Sequence, residues 1–396
     1  MKFYDFDTSA PDRRGTGSYK WDSDPHADVI PLWVADMDFR TAPPIVEALR
    51  RRVDHGVFGY VRVPDEYYAA LSSWFGRRYG WPVDRDKVIY TSGVVPAVSA
   101  CIKAMTKPGQ GVIVQTPVYN CFFSSIRNNG CRVVENPLVR VDTWHGFTYR
   151  MDFEGLERLC ADPSNTLLLL CNPHNPAGRC WTPDELSTLC EICNRHGVCV
   201  VSDEIHCDLV MPRMSEPRPV FTPYALVAGQ TDWVVCNSPS KAFNTAGLQI
   251  ANIVCNHAST REAVDRAINI NEVCDVNPFG VVGLIAAYTQ CDDWLAQLLD
   301  YIHANYCMLR DMLSRELPSC PVADLEATYL AWIDITSTGL TGTQIEEALR
   351  RDHGVWVNAG DMYGCDNYVR INLACPGGRL REGLRRFVAG VKEMMV

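Results

Sequence analysis

The chain has 396 residues, of which 47% are hydrophobic, 21% charged and 10% aromatic, the profile of a globular protein of two to three domains. Its 47 acidic and 37 basic residues leave a formal net charge of −10, which argues against nucleic acid or an anionic membrane surface as partner. Gly (27) and Pro (24) follow no period, so collagen-like and low-complexity readings fall away.

The start, Met1-Lys2-Phe3-Tyr4-Asp5-Phe6-Asp7, carries acids and no apolar run, unlike a signal peptide. No stretch approaches the ~18–20 apolar residues of a membrane span. A cytoplasmic location is expected. The first forty residues read as irregular, up to the Pro43-Pro44 pair, and Arg13-Arg14 and Arg50-Arg51-Arg52 read as solvated faces.

From there strand and helix signals alternate. Lys87–Thr91 reads as a strand, Val94–Met105 as a helix and Gly111–Gln115 as a strand. A helical stretch near Tyr119–Asn128 and a strand at Cys131–Glu135 follow. Thr166–Cys171, with four consecutive leucines, is a buried strand. Pro183–His196 is an amphipathic helix with Thr182 as N-cap. Val198–Ser202 and Trp233–Cys236 are short apolar strands. Strands separated by helix-length segments imply βαβ units and a mostly parallel sheet, whose ligands bind at the carboxyl ends of strands. The C-terminal third mixes helices (Asp293–Leu317, Gly342–Arg351) with strands (Tyr329–Ile335, Val355–Asn358, Tyr368–Leu373), which suggests a smaller α+β domain.

Eighteen cysteines are spread along the chain, many in apolar runs, where a thiol behaves as a small hydrophobe. Cys190 and Cys193 form the one C-x-x-C, with no second pair to complete a zinc site. Core thiols in a reducing compartment are expected, and no metal. A Walker A loop, G-x-G-x-x-G, H-E-x-x-H and G-x-S-x-G are all absent.

Polar clusters follow the expected strand ends. In Ser238-Pro239-Ser240-Lys241 the lysine is either a surface residue or a Schiff-base amine beside phosphate-binding hydroxyls. Asp203 is either a solvated loop acid or a carboxylate that pairs with a cofactor pyridinium. Asn175, in Asn172-Pro-His-Asn-Pro-Ala-Gly178, serves a tight turn or adds an amide aimed at a ligand. Ser92-Gly93-Val94-Val95-Pro96 places free backbone N–H groups at a helix start, as any βα turn does, and these suit a phosphate. Tyr119 is a core tyrosine or a ring that stacks on a ligand. Arg370, in Tyr368-Val-Arg-Ile-Asn372, is a strand-surface arginine or a bidentate carboxylate clamp.

Taken together, the motifs Asn172–Gly178, Ser202-Asp-Glu-Ile-His206 and Ser238-Pro-Ser-Lys-Ala-Phe-Asn-Thr-Ala-Gly-Leu248 resemble the fold-type I, pyridoxal-phosphate-dependent class I/II aminotransferase superfamily over nearly the whole chain. Asp12-Arg-Arg-Gly-Thr16 with Lys20-Trp-Asp22, Pro31-Leu-Trp-Val-Ala-Asp-Met-Asp-Phe39, Ser92–Pro96 and Gln115-Thr-Pro-Val-Tyr119 narrow the likeness to cystathionine β-lyases of the MalY/PatB type. The resemblance implies an α/β fold with a large cofactor domain (45–285) and a small domain (1–44 with 286–396).

It implies pyridoxal 5′-phosphate bound covalently by Lys241, with Asp203 at the ring nitrogen, Asn175 and His206 at the ring hydroxyl and Tyr119 stacked on the ring. Val94, Val95, Ser238 and Ser240 would hold the phosphate, joined by Tyr60 from the neighbouring subunit of a homodimer. Arg370, with Tyr119, would bind the amino-acid substrate. Gln249 stands eight residues after Lys241, where many aminotransferases carry a phosphate-binding arginine. The expected activity is β-elimination from cystathionine or other cysteine S-conjugates. Transamination and a partner-binding regulatory role are the alternatives.

Overall fold

In a computed structural model, which describes residues 3–26, 28–211, 218–272 and 275–395, the apolar runs pair into one seven-stranded sheet. Its spatial order is Val88–Thr91, Ala251–Cys255, Trp233–Asn237, Cys199–Asp203, Asn165–Cys171, Gly111–Val114 and Arg132–Glu135. All pairs are parallel except those of Ala251–Cys255, which runs antiparallel to both neighbours. The strands ending at Thr91, Val114, Cys171, Asp203 and Asn237 therefore finish on one edge of the sheet.

Helices cover both faces, and this explains the leucine run. Leu168 and Leu170 enter one core, while Leu167, Leu169 and Cys171 enter the other. The helix Val94–Met105 packs on the second face, and Pro183–Arg195 on the first. Thr182 caps the latter in a reciprocal capping box with Glu185. Cys190 and Cys193 both point into the core from this helix, and every described cysteine is a free thiol.

A second, antiparallel sheet joins Leu330–Asp334, Tyr368–Asn372 and Asn358–Ala359. The helices Asp292–Glu316, Gly342–Asp352 and Gly377–Met394 pack with it. The strand expected at Val355–Asn358 is two short ones with different partners. Val355–Trp356 pairs in parallel with Ile30–Pro31, and Asn358–Ala359 pairs with Tyr368–Asn372. This break carries the N-terminal segment across the molecule. That segment is irregular in backbone, as its sequence implies, yet Leu32, Met37 and Phe39 lie in the core. Among the described residues no helix is long and apolar enough to cross a membrane.

Candidate active site

The shared strand edge opens into a cavity of about 350 Å³. Val94, Val95, Tyr119, Asn175, Asp203, His206, Lys241 and Arg370 all line it. They arrive at the carboxyl ends of five strands, Val94 with Val95 after one and Asp203 with His206 at another, except Arg370, which reaches across from the second sheet.

After Asn237 the chain turns tightly. The Ser238 hydroxyl donates to the Ile250 carbonyl (2.6 Å) and accepts the Ser240 N–H (3.1 Å). That turn aims Lys241 inward, where its Nζ donates to the Ala35 carbonyl at 2.6 Å. Burial, helped by the Arg370 charge, pushes the amine down to about 8, against the pull of Asp36 and Asp203.

Asp203 ends its strand beside this amine and is 4% exposed. One carboxyl oxygen accepts the Ile205 N–H at 3.0 Å. Burial pushes the acid up to about 7, although the Ile205 N–H and the Lys241 charge oppose it. His206 is also buried, and burial, then Lys241 and Arg370, hold it well below the ordinary imidazole value. It stands neutral at pH 7, with Nδ1 lacking a hydrogen-bond partner.

The Asn172–Gly178 turn closes through the His174 N–H to the Arg179 carbonyl and the Gly178 N–H to the His174 carbonyl, both 2.8 Å. Gly178 has φ +72° and a Cβ there would lie 3.2 Å from the Asp324 carbonyl, so the turn needs glycine. Asn175 Oδ1 accepts Arg370 Nη1 at 3.1 Å, while Arg370 Nη2 donates to the Trp33 carbonyl at 3.0 Å. The guanidinium lies over the Tyr363 ring, 4.8 Å from its centre, and its Nε is buried without a partner. The Arg370 contact orients the Asn175 amide, so that its NH₂ group faces elsewhere.

Gly93 precedes the helix Val94–Met105, whose first internal hydrogen bond is Ala97 N–H to the Gly93 carbonyl, 3.0 Å. Pro96 has no N–H to offer. The free donors of this helix start are therefore those of Val94 and Val95. Tyr119 immediately precedes the helix Asn120–Asn128, and burial holds its hydroxyl well above the ordinary phenol value.

Three expected residues do not line the cavity. The Ser238 hydroxyl is committed within its own turn, and Ser240, whose N–H it accepts, is not part of the wall. Tyr60 is 94% exposed on the extended stretch between the helices Pro43–His55 and Asp65–Tyr79. Gln249 is exposed too and is not part of the wall.

A family model for class I and II aminotransferases matches residues 27–387. The chain belongs to that aminotransferase family. It is 38% identical to the cystathionine β-lyase PatB of Bacillus subtilis over 96% of this chain and 98% of PatB. Its structure is similar to cystalysin from Treponema denticola, a crystal structure containing pyridoxal 5′-phosphate, at TM-score 0.92 and 32% identity over 99% of this chain and all of that one. It is also similar to a pyridoxal-phosphate-bound C-S lyase from Staphylococcus hominis, at TM-score 0.89 and 30% identity over 98% of this chain and 99% of that one.

In this aminotransferase-family chain the cavity has walls that residue-by-residue reading missed. Tyr19, Trp33 and Ala35 come from the N-terminal segment, and Asn358, Met362 and Tyr363 from the second sheet and its edge. Trp33 stacks on Trp356 with centroids 4.0 Å apart. The one available signal was the stretch Pro31–Phe39. It mixes acids with apolar residues at no helical or strand period, which a solvated loop has no reason to do.

Proposed function

We propose that this protein is a pyridoxal-phosphate-dependent carbon–sulfur β-lyase acting on L-cysteine S-conjugates such as L-cystathionine. The carrying observation is the pair Lys241 and Asp203, an amine and a carboxyl on two strand-end turns of one buried cavity. The likeness to PatB and to the Staphylococcus hominis C-S lyase supports a lyase rather than a transaminase.

The side chains present fit the cofactor. Asp203 is a buried carboxyl at the floor, and it suits a pyridine nitrogen that must stay protonated. The unpaired Nδ1 of His206 and the NH₂ group of Asn175 suit a ring hydroxyl. The N–H groups of Val94 and Val95 suit a phosphate. Tyr119 offers a ring face. When bound, pyridoxal phosphate supplies an electron sink for the pair left at the substrate Cα.

The chain's own residues do the rest. Arg370 grips the substrate carboxylate, and its unpaired Nε gives it a spare donor for that task. Lys241, its amine free, would take the Cα proton at Nζ. Its burial serves this directly, because a lysine held near 8 is far more often neutral at pH 7–8 than an exposed one. Loss of that proton lets the Cβ–S bond break and the thiol leave. Water then converts the three-carbon remainder to pyruvate and ammonia.

Purified protein loaded with pyridoxal phosphate should release pyruvate, ammonia and homocysteine from L-cystathionine with no acceptor present. Turnover only when a 2-keto acid is added, with a new amino acid formed, would make the protein a transaminase instead.

The reading includes a homodimer and the domain division 45–285 against 1–44 with 286–396. Val57, Phe58 and Tyr60 are 61%, 57% and 94% exposed on one stretch, an apolar run that supports burial against a second copy. Tyr60 would complete the phosphate site of that copy. Sedimentation at assay concentration should give a dimer, and an active monomer would remove Tyr60 from the site.

A further inference from the structure

Glu204 follows Asp203 and is 0% exposed. Its oxygens are treated unequally. Oε1 accepts two donors, the Tyr224 N–H at 2.8 Å and the Ser202 hydroxyl at 3.0 Å. Oε2 is buried with none. An ionised carboxylate spreads its charge over both oxygens and draws donors to each. Two donors on one oxygen and none on the other is the pattern of a carboxylic acid, with Oε1 as carbonyl and Oε2 as hydroxyl.

The surroundings agree. The charge acting on Glu204 is Asp203, a like charge, and the other ionisable group facing it is the Cys207 thiol. Burial, with Asp203 adding to it, pushes Glu204 up to about 8, though the Tyr224 N–H, Ser202 and Asn172 pull the other way. The side chain of Asn172 lies against the carboxyl, and Asn172 Oδ1 is itself buried without a donor.

We propose that Glu204 works as a neutral carboxylic acid and is a positioning residue. Its Oε2 hydroxyl donates to Asn172 Oδ1, since Asn172 Nδ2 is already engaged with the Thr222 carbonyl at 3.1 Å, and so ties the turn carrying Asn175 to the strand end carrying Asp203. The backbone reinforces this tie, with the Asn172 N–H on the Asp203 carbonyl (2.9 Å) and the Glu204 N–H on the Cys236 carbonyl (2.8 Å). Neutrality has a second effect. It leaves Asp203 as the single charged carboxylate of the pair, so that Asp203 need not compete with an adjacent anion. This second effect rests on the cofactor reading above; the protonation state does not.

The sign of the pH effect follows from linkage. The folded protein keeps a proton on Glu204 that the unfolded chain releases near the ordinary glutamate value. This contribution to stability therefore falls as pH rises from there to about 8, then levels off. Glu204→Gln, which keeps a donor at the same place without titrating, should lose that part of the slope.

The test compares the loaded wild-type protein with Glu204→Gln and Glu204→Ala. At pH 7 the infrared difference spectrum, wild type minus Glu204→Gln, should contain a carboxylic-acid carbonyl stretch that disappears as pH passes about 8. Glu204→Gln should hold the cofactor within about threefold of wild type, whereas Glu204→Ala should hold it about tenfold more weakly, having lost a buried donor. A carboxylate band alone at pH 7, or Glu204→Gln as impaired as Glu204→Ala, would overturn the proposal. The infrared and stability measurements need no turnover, so a protein that proves not to be a lyase still tests Glu204.

Discussion

Lys241→Ala is expected to lower turnover of cystathionine by on the order of 10⁴-fold or more, since the proposed mechanism makes this residue both the covalent anchor and the base. Borohydride should fix the cofactor to the wild-type chain and fail to fix it to the variant, read by mass spectrometry. Lys241→Arg should rescue little, because guanidinium stays protonated at any working pH. The wild-type rate carries its own signature. Lys241 acts as a base only in its neutral form, so kcat should rise as pH climbs toward and through about 8, following the depressed amine. An exposed lysine would place that limb beyond pH 10. A Lys241→Ala protein that keeps a tenth of wild-type activity would remove this lysine from the chemistry.

That site was legible in the sequence for a simple reason. Parallel strands buried on both faces read as unbroken apolar runs, and the polar residues that follow them must lie at their carboxyl ends. Lys241, Asp203, Asn175 and the Val94–Val95 turn all stand at such junctions, and they meet in the cavity. Ala251–Cys255 was missed because only residues 238–250 separate it from the preceding strand. That stretch is spent on the lysine turn and holds no crossover helix, so the strand returns antiparallel. The roof, the wall that Trp33, Ala35 and Asn358 give the cavity, was missed for a different reason. Trp33, Ala35 and Asn358 owe their place to partners hundreds of residues away, and no local period records such contacts. Charge burial leaves no local record either. Lys and Asp are residue types mostly found in water, whereas the side chains of Lys20 and Asp38 are both 0% exposed.

These buried charges hold the roof, and Asp38→Ala is expected to show how much. Asp38 receives the Trp21 indole N–H at 2.8 Å and faces Lys20 Nζ at 3.2 Å, Arg13 at 3.1 Å and Arg379 at 2.9 Å. Burial alone would raise its pKa, but Lys20, the Trp21 N–H and Arg379 outweigh it and hold the acid below the usual carboxylate range. Removing one partner leaves cations behind, Lys20 fully enclosed, which costs about 3–5 kcal/mol. Urea unfolding should register a loss of that size. Since the acid is depressed in the folded state, its contribution is complete above the ordinary aspartate value and is lost as pH falls through the folded one. The variant should therefore lose part of the wild-type acid sensitivity as well. The effect should also reach the active site. The Asp38 N–H bonds the Ala374 carbonyl at 2.9 Å, and Asn372 Nδ2 donates to the carbonyls of both Val34 and Asp36, which fixes the backbone on either side of Ala35, the acceptor of Lys241. A roof loosened at Asp38 should lower kcat as well as stability at temperatures where the variant is fully folded. A variant that is destabilised yet turns over at the wild-type rate would show that Asp38 only braces the fold and does not position the lysine.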